Sequence, residues 1–178
     1  LWCIERNVWV SAAYVKGTEN VIADRLSRKG NERTEWALSD PCFQAIEQIW
    51  GPFQVDLFAS RLNFKFRDYV SWEPVPGAIA TNAFDLDWSE SVFYAFPPFS
   101  LVNRCIQKIL VDRADGVLVV PMWPGQHWFQ SLLRTLVDVP RIIPPHKRML
   151  HLPGHPENIH DLHQKLRLMV CHVSGKAC

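Results

Sequence analysis

SVFYAFPPFSLVNRCIQKILVDRADGVLVV, residues 91–120, holds two short apolar runs with a helical pattern between them. Residues 92–96 are predicted to form a strand. Ser100 then offers a helix cap, and Val102, Ile106, Ile109 and Leu110 recur at helical spacing until Asp115-Gly116 ends the pattern. Residues 117–120 are a continuous Val and Leu run, the pattern of a strand buried on both faces. Strand, helix and strand at this spacing make a βαβ unit, whose strands lie parallel in one sheet.

The same alternation extends in both directions. Upstream, Asp40 is read as an N-cap, with Pro41 at the first helical position, Phe43, Ile46 and Ile49 on one face, and Gly51 beyond the end. A strand follows at 53–58. Residues 62–88, rich in Pro and Asn, read as a loop long enough to be functional or partly structured. Downstream, Pro121-Met122-Trp123-Pro124-Gly125 leads into an amphipathic helix through Phe129, Leu132, Leu133 and Leu136, and Arg141-Ile142-Ile143 adds a strand. The expected class is α/β, a Rossmann-like, mostly parallel sheet with flanking helices. The segment from 151 to 178, with a helical stripe at Leu162, Leu166 and Met169, reads as a tail.

At the other end, residues 8–15 alternate like a strand, Lys16-Gly17-Thr18-Glu19-Asn20 supplies a turn, and Asn20 caps a short helix carrying Ala23 and Leu26. The polar stretch SRKGNERTE (27–35) marks a boundary. The expected division is therefore 1–29, a linker at 30–40, an α/β domain at 41–150 and the tail. The first residue is Leu and a strand pattern begins almost at once, as expected of a piece cut from a longer chain.

Among the 178 residues, 48% are hydrophobic and 21% charged, and eight Trp and ten Phe supply bulk for a core. Nineteen Lys and Arg against eighteen Asp and Glu leave +1, so any nucleic-acid binding must come from a local patch rather than a global field. The uncharged stretch 116–133 contains Pro121, Pro124, Gly125 and His127, which excludes a bilayer helix. No secretory pattern opens the chain, so the expectation is an intracellular protein, nuclear or cytoplasmic, without a membrane partner. Five widely spaced Cys without a C-x-x-C pair argue for reduced thiols and against a zinc ribbon. His151, His155, His160, His163, Cys171 and His172 form a metal-like tract only on paper, because just one pair has zinc-finger-like spacing and no Cys pair accompanies it; no metal site is expected.

In an open parallel sheet the ligand site lies outside the carboxyl ends of the strands, where strand order reverses. That rule selects residues 56–60, 96–99 and 121–123. Pro97-Pro98 between Phe96 and Phe99 makes a rigid strand exit; the alternatives are a stiff turn packed by aromatics or a flat ring, Phe99, on which a base stacks. Arg61, Lys65 and Arg67, interleaved with Phe64, Phe66 and Tyr69, form the best candidate for nucleic-acid contact, against the alternative of a solvated face.

Read together, VDLFASRLN (55–63), DYVSW (68–72), NAFDLDW (82–88), YAFPPF (94–99) and VVPMWPGQHWF (119–129) resemble the adenine-methyltransferase-like domain of DIRS-type retrotransposons, itself similar to phage Dam-type DNA methyltransferases. The resemblance covers roughly residues 36–150. It implies an S-adenosylmethionine-side turn carrying Asp56, Ala59 and Ser60, and places Phe96-Pro97-Pro98-Phe99 at the Asn/Asp-Pro-Pro-aromatic catalytic motif. For Asp56 the alternative is a carboxylate that caps a turn with Ser60. In such enzymes the residue before Pro-Pro accepts a hydrogen bond from the adenine amine. Phe96 has no strong acceptor, and loss of one positioned polar contact costs catalysis about 10²-fold or more. Asn82 stands where related sequences usually show Asp. The motif therefore reads as degenerate, with nucleic acid (DNA or an RNA–DNA intermediate) as partner and S-adenosylmethionine as an unassured cofactor.

A second resemblance precedes the first. AAYVKGTENVIADRLSRK (12–29) is similar to the C-terminal end of a retroelement RNase H domain, which makes Asp24 the equivalent of a metal-binding carboxylate. That chemistry needs several carboxylates around two Mg²⁺ ions roughly 4 Å apart, and the strands that would bring the others are missing. Together the two resemblances imply a piece of a retroelement polyprotein whose remainder is the natural partner. The alternatives are an active DNA adenine methyltransferase and a non-catalytic spacer.

Overall fold

The computed structural model describes residues 36–153, 155 and 158–176. The predicted strand at 8–15, the helix with Ala23 and Leu26, the linker through residue 35, and Asp24 lie outside the described residues. A compact unit spans Glu35–Cys178.

Its nine strands and three α-helices follow in chain order: β1 (Ala37–Leu38), α1 (Asp40–Trp50), β2 (Val55–Ala59), β3 (Tyr69–Ser71), β4 (Ala80–Thr81), β5 (Phe93–Ala95), α2 (Val102–Asp112), β6 (Asp115–Pro121), α3 (Phe129–Thr135), β7 (Arg141–Ile143), β8 (Leu150–His151) and β9 (Leu168–Ser174). Seven strands make one sheet in the order β4-β3-β2-β5-β6-β9-β7, and β1 pairs with β8 in a separate ribbon. All pairs from β4 to β6 are parallel, whereas β9 runs antiparallel to both β6 and β7. The expected α/β sheet with flanking helices is present.

Alternation along the strands sends side chains to two cores. On one face Phe93, Ala95, Leu118, Val120, Met169 and Cys171 pack with α2, α3 and the buried Trp88. Trp88 is pinned by its indole N–H donating to the Ala83 carbonyl at 2.8 Å and its backbone N–H donating to Asp112 at 2.9 Å. On the other face Tyr94, Val117, Val119, Leu168 and Val170 meet Phe43 and Ile46 of α1 and Leu38, Met149 and Leu150 of the ribbon. Gly116 lets β6 approach β5: a Cβ there would lie 2.4 Å from the Phe93 carbonyl oxygen.

Several expectations need correction. Residues 168–174 are not part of a helical tail but the strand β9, inserted between β6 and β7. Nearly every residue of β9 is buried, so the run has no period of two to betray it, and Leu162, Leu166 and Met169 match helical spacing by coincidence. The 62–88 loop contains β3, β4 and two 3₁₀ turns, elements too short to show periodicity. Ser39, not Asp40, is the N-cap of α1, and Ile49 is exposed. The cap of α2 is Leu101 rather than Ser100, after a 3₁₀ turn over Phe99–Leu101. That helix closes three residues earlier than expected, on Arg113 in the left-handed region (φ 54°). Leu133 faces outward from α3. No helix among the described residues is long and apolar enough to cross a membrane.

Candidate functional site

The chain builds β2, β3 and β4 toward one edge of the sheet, then crosses back to place β5 and β6 on the other side of β2. Strand order therefore reverses between β2 and β5, and the crevice at their carboxyl ends is where this architecture offers a ligand site. Ser60 and Arg61 leave β2 there, Phe96 and Pro97 leave β5, and Met122 and Trp123 leave the neighbouring β6.

Asp56 lies within β2 and is 2% exposed. Its two carboxylate oxygens accept the backbone N–H groups of Phe58 at 3.3 Å and Lys65 at 3.1 Å, which staples the loop after β2 back onto the strand. Burial raises its pKa from the ordinary 3.8 to about 7, outweighing those two hydrogen bonds and the Lys65 charge, which act in the opposite direction. Ser60 forms a turn of its own: its N–H donates to Asn63 Oδ1 at 2.6 Å and its hydroxyl oxygen accepts the Leu62 N–H at 3.2 Å. Ala59 is buried between them in sequence. Asp56 thus makes a loop anchor, and Ser60 serves a separate turn.

The basic-aromatic stretch divides. Lys65 Nζ reaches Asp40 at the start of α1 and lies 5.6 Å from the Phe43 ring centre, with its side chain 9% exposed. Its charge is spent inside the molecule, and the pairing holds the Asp40 carboxyl below its usual range. Phe66 packs edge-on against Phe43 and Phe53, and Tyr69 is buried. Arg61, Arg67 and Phe64 remain outside, with Phe64 stacked on Tyr69 at 4.9 Å and nearly parallel.

At the exit of β5, Pro97 is buried and the Pro98 carbonyl accepts the Leu101 N–H at 2.8 Å, turning the chain into α2. Phe96 and Phe99 are half-buried and meet edge-on at 6.3 Å; Phe99 meets Trp123 at 5.2 Å and 81°. Three rings from two strand ends so make one partly exposed aromatic wall. Trp123 belongs to the segment 121–123 that the strand-end rule selects, and the structure adds its contact with Phe99. On the far side of the site Asn82 adopts φ 63°, and its side-chain oxygen accepts the Phe84 N–H.

A family model described as DNA N-6-adenine-methyltransferase (Dam) matches residues 25–172. The chain belongs to this family. No curated protein matches it. The Dam-like domain thus has, at its switch point, the position where a methyl donor would be expected. Beside Phe96 the crevice lined by Phe58, Asn63, Lys65 and Tyr94 has a volume of about 10 Å³, about what one water molecule needs and far below the several hundred cubic ångströms of a small-molecule pocket. Its cation is already paired with Asp40, and Asp56 beneath it holds two backbone amides. The Tyr94 hydroxyl is buried there without a hydrogen-bond partner among the described residues, and burial together with the Asp56 charge pushes its pKa well up. These residues do not fit S-adenosylmethionine. The buried Cys171 thiol, pushed up to about 12 by burial, and Cys105, pushed higher still, supply no nucleophile.

Proposed function

We propose that this Dam-like domain is catalytically silent and contacts nucleic acid, as one part of a DIRS-type retrotransposon polyprotein that begins here with the end of an RNase H domain. The observation that carries the silent reading is Phe96. A methyl transfer to adenine needs an acceptor for the exocyclic amine, and at this position the chain presents a phenyl ring packed toward Phe99. What remains is suited to stacking: the wall of Phe96, Phe99 and Trp123, with Arg61 and Arg67 as exposed cations near the exit of β2. The retroelement context rests on sequence alone, on two resemblances in the order expected of such a polyprotein.

Two titrations of the 178-residue chain test this reading. Calorimetry with S-adenosylmethionine is expected to give no binding heat, and fluorescence anisotropy with a labelled single-stranded oligonucleotide is expected to show binding that weakens as salt rises. Cofactor binding would restore the enzyme reading. Absence of oligonucleotide binding would leave a structural spacer. Flanking coding sequence is expected to specify a reverse transcriptase upstream and a tyrosine recombinase downstream.

A further inference from the structure

The carboxyl edge of the sheet continues past the aromatic wall. Strands β6 and β7 both run antiparallel to β9, and Pro121 at the end of β6 and Ile143 at the end of β7 both pair with Leu168. The loops that leave β6 and β7 therefore emerge at one edge, on either side of the start of β9. The Met122 N–H donates to the Arg167 carbonyl at 2.8 Å, which ties the segment carrying Trp123 to the approach to β9.

At this edge the loop after β7 and the turn before β9 enclose an open groove of about 490 Å³, lined by Pro145, His146, Lys147, Arg148, His163 and Gln164. The lining contains no carboxylate, and the sequence from Arg141 to Leu152 has no Asp or Glu. Lys147 and Arg148 are exposed, as are the nearby Lys165 and Arg167. Both histidines are oriented by the backbone. His146 Nδ1 accepts the Arg148 N–H at 3.1 Å, so its own proton sits on Nε2. His163 Nδ1 lies 2.9 Å from the His160 carbonyl and donates to it.

We infer that this groove is a phosphate site that holds the backbone of the same nucleic-acid strand whose bases stack on Phe99 and Trp123. The inference rests on the nucleic-acid reading given above and adds a site to it. Ammonium, guanidinium and an imidazole N–H are the donors that a phosphodiester accepts, and the groove offers all three with no carboxylate in its lining. Three inter-strand spacings separate β5 from β7, roughly 14 Å at about 4.8 Å each, so one strand can span wall and groove. Because Lys65 is internally paired, the stretch 61–67 keeps two exposed cations, Arg61 and Arg67, against Lys147 and Arg148 in the groove with Lys165 and Arg167 nearby.

The test compares the intact chain with K147E/R148E, the milder K147Q/R148Q, and R61Q/R67Q, each checked for unchanged cooperative unfolding. Anisotropy with a labelled oligothymidylate is read across a salt series. In parallel, the imidazole resonances of His146 and His163 are followed while inorganic tripolyphosphate is added. The expected result is at least a tenfold loss of oligonucleotide affinity in K147E/R148E, a smaller loss and a shallower salt slope, by about 1.4, in K147Q/R148Q, and shifts of both histidine resonances with tripolyphosphate. Unchanged affinity and slope in both groove variants, with loss only in R61Q/R67Q, would overturn the groove while leaving the nucleic-acid reading intact. Histidine shifts with tripolyphosphate but no oligonucleotide binding by the intact chain would overturn the nucleic-acid ligand, here and in the proposed function.

Discussion

Asp56 shows how far one residue can be read from sequence. The apolar run around it predicts a strand, but places it at the strand's carboxyl end, whereas Asp56 is the second residue of β2; the resemblance implied a cofactor contact, with a turn cap as the alternative. The structure shows its carboxylate accepting the Phe58 and Lys65 amides, and which distant N–H comes within reach depends on how the loop folds back. Lys65 is similar: sequence marks a cation among rings, whereas only the packing of α1 brings Asp40 beside it. The Asp56 environment has a measurable consequence. With its folded-state value near 7 against 3.8 in the unfolded chain, the native state retains a proton that the unfolded chain has lost. This contribution is fully present below about pH 4, declines as pH rises and is gone above about 7, a span of up to about 4 kcal/mol. The depressed His151 and His160, whose burial disfavours their charged forms, act with the opposite sign as pH falls. Urea unfolding of the intact chain and Asp56→Asn at pH 5 and pH 8 isolates the carboxyl. Relative to the variant, the intact chain is expected to lose stability at pH 8; an equal or opposite difference would refute the buried-acid account.

Among the elements, the strand-helix-strand unit of β5, α2 and β6 was legible because the helical period of α2 lies between two short apolar runs, one of them a continuous Val and Leu run. Strand β9 was not, because His172 interrupts its apolar run, Leu162, Leu166 and Met169 lay a helical spacing over its start, and its antiparallel insertion depends on pairing with residues some fifty positions away. The strands β3 and β4 were hidden for another reason: three and two residues are too few to carry a pattern. The central position of β9 makes a prediction. Removing residues 167–178 strips both partners of β9 of their hydrogen bonds and opens both cores, so the truncated chain is expected to lose cooperative unfolding by circular dichroism and to bind a hydrophobic dye. A dispensable tail would instead leave the transition near its original midpoint.

For the molecule as a whole, the parallel sheet and its reversal of strand order put the Phe96 exit, Trp123 and the basic groove on one edge. Sequence pointed to the first two, through the Pro-Pro motif and the strand-end rule that selects 121–123. It could not locate the groove, since residues 145–148 and 163–164 are brought together only by the antiparallel return of β9. Membership of the Dam family implies methyl transfer, whereas the proposed silent reading rests on Phe96 at the position of the amine acceptor. Transfer of labelled methyl groups from S-adenosylmethionine to adenine-containing DNA by the purified chain tests this most directly. The account predicts incorporation at background with both single-stranded and duplex DNA. Incorporation above background that disappears on Pro97→Ala would contradict it.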